Sequence, residues 1–317
     1  VQLAERIEPL IGRPLGNEEP LAVAVSGGPD SLALLLLAHC AYGARVRALT
    51  VDHGLRPESV DEAATVAAVC AEIGVPHVTL RWEGGKPAAN RQAAAREARY
   101  RLMADWCRRE GVAWLVTAHH ADDQAETLLL RLARGAGLGG LAGVRAKRDL
   151  GGVTLLRPLL GSRRSELAAV VAAAGLTAAD DPSNRDDRYD RTRVRKLLAS
   201  AGWLEADRLA ASAAHLADAE AALDWAAGLA WRSRAVVGPS GVELDGDGLP
   251  RELQRRLLCR AIRCLQEAAA LRGPDVDRLL DRLAAGGSGT LAGVKARGGP
   301  VWRLSVAPPR RSGAPAR

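Results

Sequence analysis

A chain of 317 residues has room for one well-filled core and a smaller second domain. Its 44 Lys and Arg against 37 Asp and Glu leave a formal charge of +7 and a pI near 9.6, a balance that suits a polyanionic partner. The five cysteines, at 40, 70, 107, 259 and 264, are odd in number, widely spaced and never in a C-x-x-C, which excludes a disulfide scaffold and disfavours an iron–sulfur cluster. No apolar run reaches the roughly 18 residues needed to cross a bilayer, so a soluble, cytoplasmic protein is expected.

In chain order, VQLAERIEPLIGR is an amphipathic opening segment. The run LAVAV predicts a buried strand that stops at Ser26-Gly27-Gly28-Pro29-Asp30-Ser31 and hands over to a helix across 30–40. A helix that starts here leaves its first N–H groups unpaired, a seat for phosphate or pyrophosphate. Gly27 and Gly28 allow the bend and a close ligand approach, and Pro29 suits the first helical turn, where its missing N–H has no partner to lose. The loop lacks the lysine of a Walker G-x-x-x-x-G-K-[ST], which argues against an ordinary P-loop kinase or GTPase.

Four further strand-like runs follow. VRALTV ends at Asp52-His53-Gly54-Leu55-Arg56 before a helix over 58–73, and HVTLRW precedes a helix over 88–110 that carries Arg96, Arg99 and Tyr100. VAWLVTA runs into His119-His120-Ala121-Asp122-Asp123-Gln124-Ala125-Glu126-Thr127 and a helix over 121–134, and VTLLRPLL precedes a helix over 163–174. Five βα repeats predict an α/β fold built on a doubly wound, Rossmann-like parallel sheet. The stretch Gly135–Gly140 fits G-x-G-x-x-G but follows a helix rather than a strand, so it is read as a mobile loop and not as a dinucleotide turn. Segment 179–193 is polar enough to be a surface loop.

From Trp203 the pattern becomes helical, with Leu209, Leu216 and Leu223 seven residues apart, then helices over 250–271 and 275–284. A hairpin turning at Arg297-Gly298-Gly299 and a disordered Pro/Arg tail close the chain. These shifts place a boundary near residue 202, between a catalytic domain, 1–202, and a mainly helical domain, 203–317. With no Phe in the chain, Leu, Val, Ala and seven Trp are expected to fill the cores.

Ligands of open parallel sheets bind beyond the carboxyl ends of the strands, where the strand order reverses, so the polar clusters at three strand ends should share one crevice. Asp30 in the first turn of a phosphate-binding helix would repel a triphosphate unless a cation intervened, and magnesium with Asp123 as second oxygen ligand resolves the conflict. The bland alternative leaves Asp30 as a turn residue and Asp122 with Asp123 as a helix-start charge pair. Ser26 and Ser31 are hydroxyl donors for phosphate. His120, beside His119 and close to two carboxylates, is a candidate catalytic group, whereas zinc is disfavoured because adjacent histidines do not readily turn to one ion. Glu126 shares a helix face with Asp122 and Asp123. In 185–196, arginines can seat phosphates and Tyr189 can stack on an unpaired base, with a solvated helix start as the alternative.

Seven motifs, SGGPDS, VDHGLRPES, AREARY, AHHADDQAET, RGAGLGGL, LRPLL and DDPSNRDDRYDR, occur in this order over about residues 21–200. Together they resemble the N-type ATP pyrophosphatases with a PP-loop, and within them the tRNA(Ile)-lysidine synthetase family. The resemblance implies a PP-loop catalytic domain that uses ATP and magnesium, releases pyrophosphate, adenylates the wobble cytidine of the tRNA(Ile) with anticodon CAU, and lets L-lysine displace AMP. It further implies ATP contacts at Ser26, Gly27, Gly28, Pro29, Asp30, Ser31, Asp52, His53 and Arg99, and magnesium on Asp30 and Asp123. Asp30, His120 and Asp123 take catalytic parts, Asp123 and Glu126 hold lysine, and Arg96, Arg134, Tyr189, Arg191 and Arg193 meet tRNA. The region after the catalytic domain is short for the longer members, which leaves acceptor-stem contacts open, as it leaves open whether the chain pairs as a homodimer.

Overall fold

The structure is a computed structural model that describes residues 2–54, 59–85, 87, 91–176 and 190–308. Contacts divide the chain into two compact units, Val1–Ala217 and Asp218–Arg317. The division falls inside a long helix, past the change of pattern near residue 202.

The first unit contains, in order, α1 Ala4–Ile11, β1 Leu21–Ala24, α2 Pro29–Tyr42, β2 Val46–Asp52, α3 Ser59–Glu72, β3 His77–Arg81, α4 Arg91–Arg109, β4 Trp114–Val116, α5 Ala121–Ala133, α6 Leu138–Leu141, β5 Lys147–Asp149, β6 Thr154–Leu156, α7 Arg164–Ala173 and α8 Asp190–Ser200. The helix α9, Ala206–Arg234, begins here. The sheet order is β3-β2-β1-β4-β6-β5, parallel throughout except for the edge strand β5, which runs antiparallel to β6. The five βα repeats are therefore real, and β5 is an addition that three charged residues, KRD, do not announce.

Strands in such a sheet are buried on both faces, so their residues feed two cores in alternation. Leu21, Val23 and Val25 point into a cluster with Ile7, Leu34, Leu35, Val66, Leu167 and Val171, while Ala22 and Leu49 join Tyr100, Met103, Cys107, Leu115 and Leu155 on the other face. Successive strands β1, β2 and β3 step one way from the middle. The chain then returns through α4 to lay β4 on the opposite flank of β1, which makes the gap beyond β1 and β4 the point where the order reverses.

The second unit contains the rest of α9, then β7 Ala235–Gly238, β8 Gly241–Leu244, α10 Arg251–Leu265, α11 Gly273–Ala284, β9 Ser288–Leu291, β10 Val294–Arg297 and β11 Trp302–Val306. The expected hairpin, β10 with β11, is part of a five-stranded antiparallel sheet in the order β7-β8-β11-β10-β9. The unit is thus helix plus sheet, not helix with a single hairpin, because the short run AVVGPSGVEL pairs as β7 and β8. Gly241 lets β8 lie against β11: a Cβ there would lie 2.0 Å from the Leu304 carbonyl oxygen. Leu257, Leu258, Ile262, Leu279, Leu280 and Leu304 fill its core. Only Trp231 and Trp302 of the seven tryptophans are buried, and Trp203 and Trp225 are exposed, so Leu, Val and Ala take most of the core in place of Phe. No helix among the described residues is long and apolar enough to cross a membrane. The C-terminal tail 309–317 lies outside the described residues.

Candidate active site

The loop after β1 is shaped by its own hydroxyls. Ser31 Oγ donates to the Gly28 carbonyl (2.9 Å) and accepts from the Ser26 N–H (3.1 Å), while Ser26 Oγ lies 3.3 Å from it. Gly27 has φ +86°, a left-handed conformation that a side chain would strain, and Gly28 is the N-cap of α2 with Pro29 next. Ser31 therefore braces the loop from inside, and because Pro29 has no N–H and the Ser31 N–H donates to the Gly28 carbonyl (3.1 Å), the Asp30 N–H is the first-turn donor of α2 left for a ligand.

Across the switch point, β4 is followed by Thr117, Ala118 and His119, and His120 is the N-cap of α5. The Asp123 carboxylate accepts from the His120 N–H (3.2 Å), and the Ala121 N–H donates to the Ser162 carbonyl (2.8 Å), so both ends of this turn are fixed. The His120 side chain, 4% exposed, reaches over β1: Nε2 lies 3.4 Å from Asp30 Oδ2 and 3.6 Å from Asp123 Oδ2, and Nδ1 lies 3.4 Å from Asp122 Oδ2. Burial opposes its protonation, but the carboxylates of Asp122 and Asp30 close to its two ring nitrogens and the charge of Asp123 win, raising its pKa to about 10. Asp122, with His120 Nδ1 at 3.4 Å and accepting from the Arg164 N–H (2.9 Å), falls to about 2. His119 behaves oppositely: burial and the charges of Arg157, Arg96 and Arg191 push it down to about 2, leaving it neutral. Two adjacent histidines thus carry opposite protonation states.

The acids around His120 fit a hard cation. Asp30 Oδ1 is buried and has no hydrogen-bond partner among the described residues, so one oxygen of the carboxylate has acceptor capacity to give. The described residues contain no ready-made cluster of three or more metal-binding side chains. Magnesium commonly takes one or two carboxylates and completes its shell with water and phosphate oxygens, and Asp30 Oδ1 is a carboxylate oxygen of the kind it takes.

Helix α4 spans the same edge. Arg99 Nη2 lies 3.4 Å from His53 Nε2 at the end of β2, and Arg96 Nη2 lies 3.5 Å from His119 Nε2 at the end of β4, so one helix bridges the strands on either side of β1. Asp52 is turned to local use: its Oδ1 accepts from the Gly54 N–H (2.8 Å) and the Ser59 hydroxyl (2.7 Å).

The remaining sequence candidates gather around α8, where the structure departs from the expected loop. Arg191 and Arg193 are helical, because the helix already begins at Asp190. Glu126, 1% exposed, meets Arg195 Nε at 2.5 Å and Arg195 Nη2 at 3.4 Å, with Arg191 Nε at 3.8 Å. Arg134 (2.7 Å) and Arg193 share Asp190 at the surface. Tyr189, Arg56 and the segment 177–188 lie outside the described residues. Arg195 is the residue that sequence reasoning passed over: it sits inside the basic segment, and only its pairing with Glu126 sets it apart.

The glycine stretch 135–140 is tethered rather than loose. Arg131 Nη1 donates to the carbonyls of Gly140 (2.5 Å) and Gly143 (3.0 Å), and the Gln124 amide both donates to the Val144 carbonyl (2.9 Å) and accepts from its N–H (2.6 Å). Gln124 belongs to the motif HADDQ, and its side chain ties the candidate site's helix to this loop.

The family model of the PP-loop domain matches residues 1–201. The chain is 50% identical over 299 residues to a tRNA(Ile)-lysidine synthase of Novosphingobium aromaticivorans, covering 92% of this chain and 90% of that one. It is 43% identical over 311 residues to the tRNA(Ile)-lysidine synthase of Zymomonas mobilis, covering 97% and 94%. Among solved structures, the U34-tRNA thiolase NcsA from Methanococcus maripaludis with its [4Fe-4S] cluster superposes with a TM-score of 0.57 over 68% of this chain and 77% of that one, at 18% identity, a likeness of fold.

Proposed function

The chain belongs to the tRNA(Ile)-lysidine synthase family of PP-loop proteins, and on that premise we propose that it uses ATP to join L-lysine to C2 of the wobble cytidine in the tRNA(Ile) with anticodon CAU. In the first half-reaction the cytidine O2 attacks the α-phosphate of ATP and pyrophosphate leaves. In the second the lysine ε-amine attacks C2, loses a proton, and AMP leaves.

The observation that carries this reading is the approach of His120 to Asp30, 3.4 Å across the switch point, which joins the phosphate cradle and the acidic helix start in one site. The N–H groups of Gly27, Gly28 and Asp30, with Ser26, hold the phosphates that leave. Asp30 and Asp123 hold magnesium, which when bound offsets the negative charge of the triphosphate and of the leaving pyrophosphate. His120, cationic between three carboxylates, keeps Asp30 and Asp123 facing one another and presents a positive edge to the α-phosphate. Arg99 and His53 close the nucleotide side, with Asp52 shaping the turn that carries His53.

Lysine is assigned to the acids of α5. Asp123 faces the site, whereas Glu126 is already balanced by Arg195 and acts on the amino acid through that pair. Arg96, Arg134, Arg191 and Arg193, together with Tyr189, form the tRNA-facing set. The cytoplasm is the expected compartment, and a homodimer is compatible with the assignment.

The test is incubation with ATP, labelled lysine and an unmodified tRNA(Ile) transcript bearing CAU. Lysine should enter the RNA only when ATP is present, with one AMP and one pyrophosphate per lysine. Absence of label in the RNA, with the protein folded and ATP bound, would reject the assignment.

A further inference from the structure

The motif LRPLL has no task in the chemistry above, yet its arginine is one of the most buried charges in the molecule. Arg157 directly follows β6, and because the Thr117 N–H donates to the Leu156 carbonyl (3.1 Å), it sits at the carboxyl edge beside the strand that leads to His119 and His120. It is 4% exposed. A guanidinium so placed is costly unless acceptors surround it. Its Nη1 donates to the Arg145 carbonyl (2.6 Å) and the Tyr100 hydroxyl is within hydrogen-bonding reach, but Nε is buried without a hydrogen-bond partner among the described residues.

The neighbours add charge of the same sign. Arg96 Cζ lies 5.3 Å and Arg148 Cζ 5.7 Å from the centre of the Tyr100 ring, and Arg96 also approaches His119. Among the described residues, no carboxylate pairs with Arg96, Arg148 or Arg157. Burial first, and then the like charges of Arg96 and Arg148, lower the pKa of Arg157, and burial followed by the charges of Arg157 and Arg96 lowers that of His119. Two guanidiniums over one aromatic ring and a third beside it, buried with an unmet donor, form a site that is electrostatically complete only with an anion.

We propose that Arg157, with Arg96 and Arg148 around Tyr100, seats a backbone phosphate of the RNA strand next to the reacting nucleotide. The proposal deepens the lysidine-forming assignment and rests on it. A phosphodiester fits better than the carboxylate of the free amino acid. Arg96 and Arg148 are exposed, so the cationic surface leads outward from the buried Arg157 as the repeating charges of a strand would require, whereas a free amino acid offers a single carboxylate and no continuing backbone. Tyr100 acts as the rigid post that sets the spacing of the three forks.

The test uses the full chain and the CAU-bearing tRNA(Ile) transcript, with tRNA affinity measured against salt concentration and KM measured for lysine. Arg148→Ala should weaken tRNA binding about tenfold and reduce the slope of log K against log salt by about 0.7–0.9, with the KM for lysine unchanged. Arg157→Lys keeps the charge and removes the fork, so it should weaken tRNA binding with little change of slope. If that variant does not fold, Arg148→Ala and Tyr100→Phe decide. A higher KM for lysine with an unaltered salt slope would make this a carboxylate seat and overturn the proposal, as would no change in either quantity. Binding is read without turnover, so a wild-type protein that transfers no lysine would refute the assignment of function while these affinities still judge the phosphate seat.

Discussion

The Glu126–Arg195 pair links the helix of the candidate site to α8, and Glu126→Gln measures what that link is worth. Glu126 is 1% exposed, with one contact at 2.5 Å and a second at 3.4 Å to Arg195, and the Arg195 side chain is 30% exposed. Removing one partner of a fully buried pair costs about 3–5 kcal/mol. Here the guanidinium left behind can still reach water, which lowers the expected loss to about 2–3 kcal/mol. For a domain of this size each kcal/mol moves Tm by about 2–4 °C, so a fall of about 4–12 °C is expected. Thermal melts of the full chain give the number, and a double-mutant cycle with Arg195→Met isolates the pair. A coupling energy of at least about 1.5 kcal/mol is expected, since each single variant strands the other's partner. Coupling below about 0.5 kcal/mol would mean that α8 is held by other contacts and that the buried carboxylate is not its anchor.

Gly27→Ala forces a side chain into φ +86° and should destabilise the loop by about 1–2 kcal/mol; a raised KM for ATP is the readout, and unchanged nucleotide binding would detach the cradle from ATP. Arg193→Ala should weaken tRNA binding and flatten its salt dependence, and an unchanged slope would mean that this exposed arginine serves only Asp190. Glu19, hydrogen-bonded by Arg13 and also by Trp114 (2.6 Å), is lowered from 4.5 to about 2. A carboxyl with a depressed folded-state pKa lends stability above its unfolded value and loses it as pH falls through the folded one. The Arg13 side chain is 52% exposed, so solvent screening brings that contribution to about 1–2 kcal/mol. In urea melts, the stability gap between wild type and Glu19→Gln should be constant above about pH 5 and shrink by about half near pH 3. A gap that widened on acidification would contradict the ion pair.

What was legible in the sequence was local. Two glycines and a proline between apolar runs suffice to mark the turn after β1, because the constraints lie within six residues. The approach of His120 to Asp30 is of another kind: it depends on β4 lying beside β1, which the strand periodicity allows and the chain reversal through α4 brings about. The helix α8 was hidden because its first turns are all charged and polar, and the contact that docks it joins residues 69 positions apart. Strands β7 and β8 are four residues each, too short for alternation to stand out, and they gain their order from β11. Tryptophan was over-read as core for want of phenylalanine. Leu-filled faces of α2, with its alanines, and of α10, with Ile262, close those gaps instead.

The central claim is that Asp30 and Asp123, ninety-three residues apart, grip the same magnesium ion on the same nucleotide. The direct measurement is ATP affinity with and without magnesium in wild type, Asp30→Ala, Asp123→Ala and the double variant. If the two carboxylates share one ion, either single change removes the magnesium-dependent gain and the double change removes nothing more. If each single variant kept part of the gain and the losses simply added, the two acids would serve separate sites and the account would be wrong.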